Sequence, residues 1–156
     1  MNRMNRWGIP SNGEGCIERF VDFELIDKNA DQLRFYCYFW GASYERGAPE
    51  NLFDVVRDCR MELTTIVMKR SRCLLLVTSL ENWIETRETF ECELCDDVGQ
   101  FLNLQIGQHE RKIWTKDIPA LTIRYCTSGF DMEFYYCVDE SCIRQARNEL
   151  NRILAS

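Results

Sequence analysis

The chain has 156 residues, 46% of them hydrophobic, and carries 25 acidic against 19 basic side chains for a net charge of −6. That apolar content excludes a wholly disordered chain, and the length suits a single domain over residues 1–156. The acidic balance disfavours nucleic-acid binding, where lysine and arginine must displace phosphate counterions, and suits a basic protein partner.

The opening MNRMNRWGIP carries basic residues with no signal-length apolar run behind them. Residues 1–15 therefore read as a loosely ordered segment and the protein as cytoplasmic. Residues 17–26 (IERFVDFELI) and 33–40 (LRFYCYFW) are rich in aromatic and branched side chains and predict strands. Residues 41–60 predict a loop, then a helical turn around Leu52–Cys59. Residues 62–69 (ELTTIVMK) and 73–78 (CLLLVT) predict two more strands joined at a basic turn near Arg70 and Ser71. The second is apolar on both faces, as a central strand would be. Its run Cys73–Val77 falls far short of the roughly 20 residues needed to span a bilayer, so no membrane role is expected. Thr78 and Glu81 then form a capping box opening a short helix through Leu80, Trp83 and Ile84.

Residues 90–106 predict a hairpin with Asp97-Val98-Gly99 as a three-residue loop, glycine taking the left-handed place. This register pairs Leu94 with Leu102, Cys92 with Leu104 and Phe90 with Ile106 on an apolar face. The other face pairs Cys95 with Phe101, Glu93 with Asn103 and Glu91 with Gln105. Cys92 then points inward and Cys95 outward, because alternate residues face opposite sides of a strand. The Cys92-Glu93-Leu94-Cys95 motif is thus expected to be packing rather than a metal or redox site, with no second CxxC to complete a zinc shell.

In residues 121–138, a Ser128-Gly129 turn sets Tyr125 opposite Met132, Ile123 opposite Phe134 and Leu121 opposite Tyr136. Arg124 meets Glu133 across the strands, an ion pair of about 0.2–1 kcal/mol. Asp139 then caps a terminal helix whose apolar positions Cys142, Ile143, Ala146, Leu150, Ile153 and Leu154 recur at helical spacing. No internal repeat is visible. The expected fold is α+β: an antiparallel sheet of about seven to eight strands, a short mid-chain helix, and a C-terminal helix packed on one face.

No catalytic constellation emerges. The nine cysteines are scattered among apolar residues and read as free, mostly buried thiols. The single histidine, His109, lies in a predicted loop. Neither a phosphate-cradling glycine loop nor a nucleophile elbow is present, so no cofactor, metal or catalytic residue is assigned. Asp96 and Asp97 fit the hairpin turn, and with Glu91 and Glu93 they form a candidate acidic edge for a partner. Trp114, in a polar segment before a strand, is a candidate exposed anchor.

The stretch Leu74-Leu75-Leu76-Val77-Thr78-Ser79-Leu80-Glu81-Asn82-Trp83-Ile84 resembles the L-T-x-x-E-L-x-x-L-x-x-W-L segment of the WapI-type bacterial immunity proteins. Phe134–Cys142, leading into Leu150, stands where that family has its last strand, polar helix cap and terminal helix. The likeness runs in order over residues 30–155, without the family's aspartate–asparagine–tryptophan stretch or its late proline–tryptophan element. It implies a non-catalytic protein that binds and neutralises a cognate toxin through its surface. Two alternatives are a phage-encoded inhibitor of a host defence system and a cysteine-dependent or metal enzyme.

Overall fold

A computed structural model describes residues 5–11, 17–43, 58–62, 65–97, 99–107, 119–127 and 129–156. Two antiparallel sheets and two helices make an α+β fold. The first sheet holds β1 (Arg6–Ile9), β2 (Ile17–Lys28), β3 (Gln32–Ser43), β4 (Asp58–Glu62) and β5 (Ile66–Lys69), followed by α1 (Arg70–Thr86). The second holds β6 (Phe90–Asp97), β7 (Gln100–Gly107), β8 (Ala120–Thr127) and β9 (Phe130–Cys137), followed by α2 (Glu140–Ala155).

β2 and β3 form because Val21, Phe23, Leu33, Phe35 and Cys37 alternate onto one face, where all are fully buried. Their turn is set by Asn29, whose Oδ1 accepts from the amides of Asp31 and Gln32 at 2.8 and 2.9 Å. β4 opposes Tyr38–Ala42 and β5 opposes Gln32–Phe35, so together they run along β3 as one interrupted strand. Asp58–Glu62 is thus extended where the sequence suggests a helical turn ending at Cys59; residues 51–57 lie outside the described residues.

The N-terminus departs from expectation. Arg6–Ile9 is a strand paired with β2, and Trp7 and Ile9 are fully buried. Trp7 stacks on Phe23 at 4.3 Å between ring centroids and meets Phe35 edge-on at 6.4 Å. Two alternating apolar side chains suffice to dock a short edge strand on an aromatic cluster already present on β2 and β3.

The segment 73–78 is helical, not a strand. A five-residue apolar run fits either element, and length decides it here: the helix continues for 17 residues. Cys73, Leu76, Val77, Leu80 and Trp83 face the core, leaving Leu74 and Leu75 about half exposed at 52% and 50%. Thr78 therefore sits mid-helix, its hydroxyl donating to the Leu74 carbonyl at 3.1 Å, and caps nothing. The N-cap is Lys69, without a side-chain cap.

β6 contains a bulge. Cys92 opposes Leu104 as expected, but Cys95, not Leu94, opposes Leu102, and Asp97 pairs with Gln100. Gly99, just before Gln100, takes φ 83°. In a bulge two consecutive residues oppose one, so Leu94 and Cys95 both turn inward. Cys92, Leu94 and Cys95 are all buried, which corrects the outward direction expected for Cys95. The β8–β9 register matches expectation at Tyr125, Ile123 and Leu121.

Each half of the chain is an antiparallel meander ending in a helix. The buried positions Cys73, Leu76, Leu80 and Trp83 of α1 recur in α2 as Ile143, Ala146, Leu150 and Ile153, each seventy places on. Burial spacing repeats while residue identity does not. The halves share one core, with α2 lying against α1 and β1. Tyr136 crosses it from β9: its hydroxyl accepts from the Val21 amide at 3.1 Å and donates to the Ile9 carbonyl. No described helix is long and apolar enough to cross a membrane.

Candidate functional site: the outer face of the second sheet

The inner face of β6–β9 is covered by the core, and the other face is open. Register places its residues in rows across the strands. One row runs Glu93, Asn103, Arg124, Glu133, and the next runs Glu91, Gln105, Thr122, Tyr135. At about 4.8 Å between neighbouring strands, Glu93 and Glu133 stand roughly 14 Å apart at the two edges of the sheet. A third row takes Phe101, Cys126 and Asp131, with Asp96 at its register position on β6.

Glu91, Glu133 and Asp131 are exposed and Glu93 is partly so. Among the described side chains this face sets four carboxylates against the guanidinium of Arg124. That cation is committed locally, to Asp131 at 3.0 Å rather than to the expected Glu133. The diagonal partner wins because the Cys126 thiol also donates to Asp131, at 3.1 Å, and holds the carboxylate over β8. The Arg124 and Cys126 hydrogen bonds keep the Asp131 carboxyl below the ordinary carboxylate range, and Asp131 in turn pushes the Cys126 thiol up. Glu91 accepts from the Asn103 amide at 2.6 Å. Glu93 and Glu133 have no ion pair with any described residue.

Of the residues singled out by sequence, Glu91 and Glu93 stand together on this face. Asp96 and Asp97 end β6, and their side chains lie outside the described residues, as do Trp114 and His109 altogether. Asp131 and Glu133 were not singled out. Their alternation in Phe130-Asp131-Met132-Glu133 was the available signal, and the Arg124–Glu133 register already placed Glu133 on the outer side.

The thiols offer little chemistry. Cys37, Cys73, Cys92 and Cys142 are free, and burial pushes each thiol up, that of Cys73 to about 12. A thiol held protonated is a poor nucleophile and a poor metal ligand. Both sulfurs of the Cys92–Cys95 pair belong to the core. Among the described residues no three His, Cys, Asp or Glu side chains gather as a metal site would require.

A cleft of about 540 Å³ opens between the end of α1 and the start of α2. Two of its charged side chains, Arg87 and Glu140, are paired with each other. Arg87 lies over the Trp83 ring at 4.4 Å and pairs with Glu140 at 2.6 Å, which also accepts from Arg144 at 3.1 Å. Arg87 takes a left-handed backbone (φ 60°) to end α1, its amide donating to the Trp83 carbonyl at 2.8 Å. These contacts join the two helices. The chain matches no family model, no curated protein and no solved structure.

Proposed function

We propose that this chain is a non-catalytic binding protein of the immunity type, which neutralises a bacterial toxin by covering a basic surface of it with the outer face of β6–β9. The observation that carries the binding reading is the charge of that face. Glu91 and Glu93 on β6 and Asp131 and Glu133 on β9, the two edge strands of the sheet, stand against Arg124 alone, which is itself paired to Asp131. Opposite fields on two such surfaces raise the encounter rate and fix orientation more than they add affinity. Polar and aromatic neighbours, Asn103, Gln105 and Tyr135 in the same rows, would supply the hydrogen bonds and contact area that charge alone does not. The toxin as partner rests on the resemblance of residues 74–84 and 134–150 to the WapI-type immunity proteins.

The test is co-expression with a candidate toxin encoded beside the gene. Wild type should restore growth and bind the purified toxin. The double variant Glu91→Lys, Glu93→Lys should associate at least about tenfold more slowly at low salt. Unchanged protection together with an unchanged association rate would remove this face from the interface.

A further inference from the structure

Leu74 and Leu75 are the most exposed large apolar side chains among the described residues, and they are adjacent on one turn of α1. Single exposed leucines are ordinary, but a cluster beside a groove marks a contact surface. Leu74 borders such a groove, about 420 Å³, between the N-terminal end of α1 and the β2–β3 turn.

The charge around this apolar pair is opposite to that of the protein as a whole. Lys69, Arg70 and Arg72 surround it, and none has an ion pair with a described residue. Arg6, Arg34, Arg87, Arg124 and Arg144 are each paired to a carboxylate. The Arg70 side chain donates from Nη1 to the Leu154 carbonyl at 3.1 Å, and its amide donates to the Asp31 carbonyl at 2.8 Å. On a chain of net charge −6, three cations without an acidic partner among the described residues, Lys69, Arg70 and Arg72, stand around two exposed leucines, with Asp31 the one acid lining the groove. The net negative charge does not erase this patch, because salt screens fields beyond about 8–10 Å.

We propose that the N-terminal end of α1 is a docking surface for an acidic peptide segment bearing aliphatic side chains, contributed by another protein. Its aliphatic groups pack on Leu74 and Leu75 and into the groove, while its carboxylates meet Lys69, Arg70 and Arg72. A second copy of this chain fits poorly. Two-fold pairing through the leucines would bring each basic cluster against its own image. The surface is separate from the acidic sheet face and does not depend on the toxin reading.

The test titrates the full chain into a fluorescein-labelled synthetic peptide built from glutamate and leucine. The control is the same peptide with serine at each leucine. The leucine peptide should bind at least about tenfold more tightly than the serine peptide, and added salt should weaken it. Leu74→Ser with Leu75→Ser should lose about tenfold in affinity, as should Lys69→Glu with Arg72→Glu. Glu88→Lys, exposed beyond the far end of α1, should change nothing. These positions are exposed, so melting temperatures should stay at the wild-type value; if the serine pair unfolds the chain, the charge pair decides. Absence of peptide binding would overturn the proposal, as would equal binding by wild type and the charge variant. So would a wild-type dimer that the leucine variant converts to monomer.

Discussion

The Tyr136 hydroxyl, carried on the second sheet, bridges the amide of Val21 and the carbonyl of Ile9 on the first. It is a buried polar tie across an otherwise apolar core, and burial pushes its own ionisation well above the ordinary phenol range. The two residues also oppose each other in the β1–β2 pairing. Tyr136→Phe keeps the ring and removes the oxygen, taking one hydrogen-bond partner from each of two buried backbone groups. Each such group costs about 1–3 kcal/mol, so the variant should lose about 2–4 kcal/mol in urea unfolding. A loss under about 0.5 kcal/mol would mean the halves are held by apolar packing alone.

The N-terminus of α2 gives a prediction with a pH sign. Asp139 accepts from the Cys142 amide at 3.1 Å. Hydrogen bonds from Ser141 and Cys142 hold its carboxyl below the usual range. A depressed folded pKa contributes stability above the unfolded pKa and loses it as pH falls through the folded one. Asp139→Ala should therefore cost about 1 kcal/mol at neutral pH, with the difference from wild type shrinking in acid. A constant difference from pH 7 down through the acid range would show that the cap is not acting through its charge.

Glu149 should behave oppositely. It is half-buried on α2, its carboxyl raised first by burial, with Asp22 adding repulsion and the Gly8 amide offsetting part of it. A carboxylate with a raised folded pKa favours the folded state at low pH, and that contribution is lost as pH rises through the folded value. Glu149→Gln should stabilise the protein at neutral pH and leave it unchanged in acid, as measured by denaturant midpoints across pH. A destabilised variant at neutral pH would mean the carboxylate is worth more to Gly8 than its burial costs.

Cys126 is half-exposed, and its thiol is held up chiefly by its hydrogen bond to Asp131, with Arg124 opposing. Asp131→Asn removes the acid and leaves the guanidinium, so the thiolate fraction should rise. Alkylation at Cys126, followed by peptide mass mapping, should speed up several-fold at mildly alkaline pH. Buried Cys37, Cys73 and Cys92 should stay unlabelled until the chain unfolds. Rapid labelling of Cys92 in the native protein would reopen the CxxC as a reactive site.

The parts of this fold that sequence reveals are those where one local rule acts alone. The β8–β9 hairpin has clean alternation and a glycine at φ 89° in its turn, so its register could be derived pair by pair. The terminal helix announces itself through Asp139 and its apolar spacing. What failed involved competing rules. Cys73–Val77 satisfies strand composition and helix burial at once, and only tertiary contact selects the helix. The bulge at Leu94 has no signature of its own, because moving Cys95 inward merely exchanges one apolar residue for another. Trp7 and Ile9 needed the aromatic cluster of Phe23 and Phe35 before their pairing had a reason. The candidate site divides likewise: Glu91 and Glu93 are visible as an alternating acidic strand, whereas Glu133 joins them only through a register spanning three strand pairs.

The central claim is that the open face of β6–β9 meets its partner through charge. Its most direct test is the association rate constant with the proposed toxin partner, measured across a salt series for wild type and for Glu93→Lys with Glu133→Lys. Wild-type association should slow steeply as salt rises, and the variant should start at least about tenfold lower and depend little on salt, the two converging when fields are screened. Two curves that coincide at every salt concentration would contradict it.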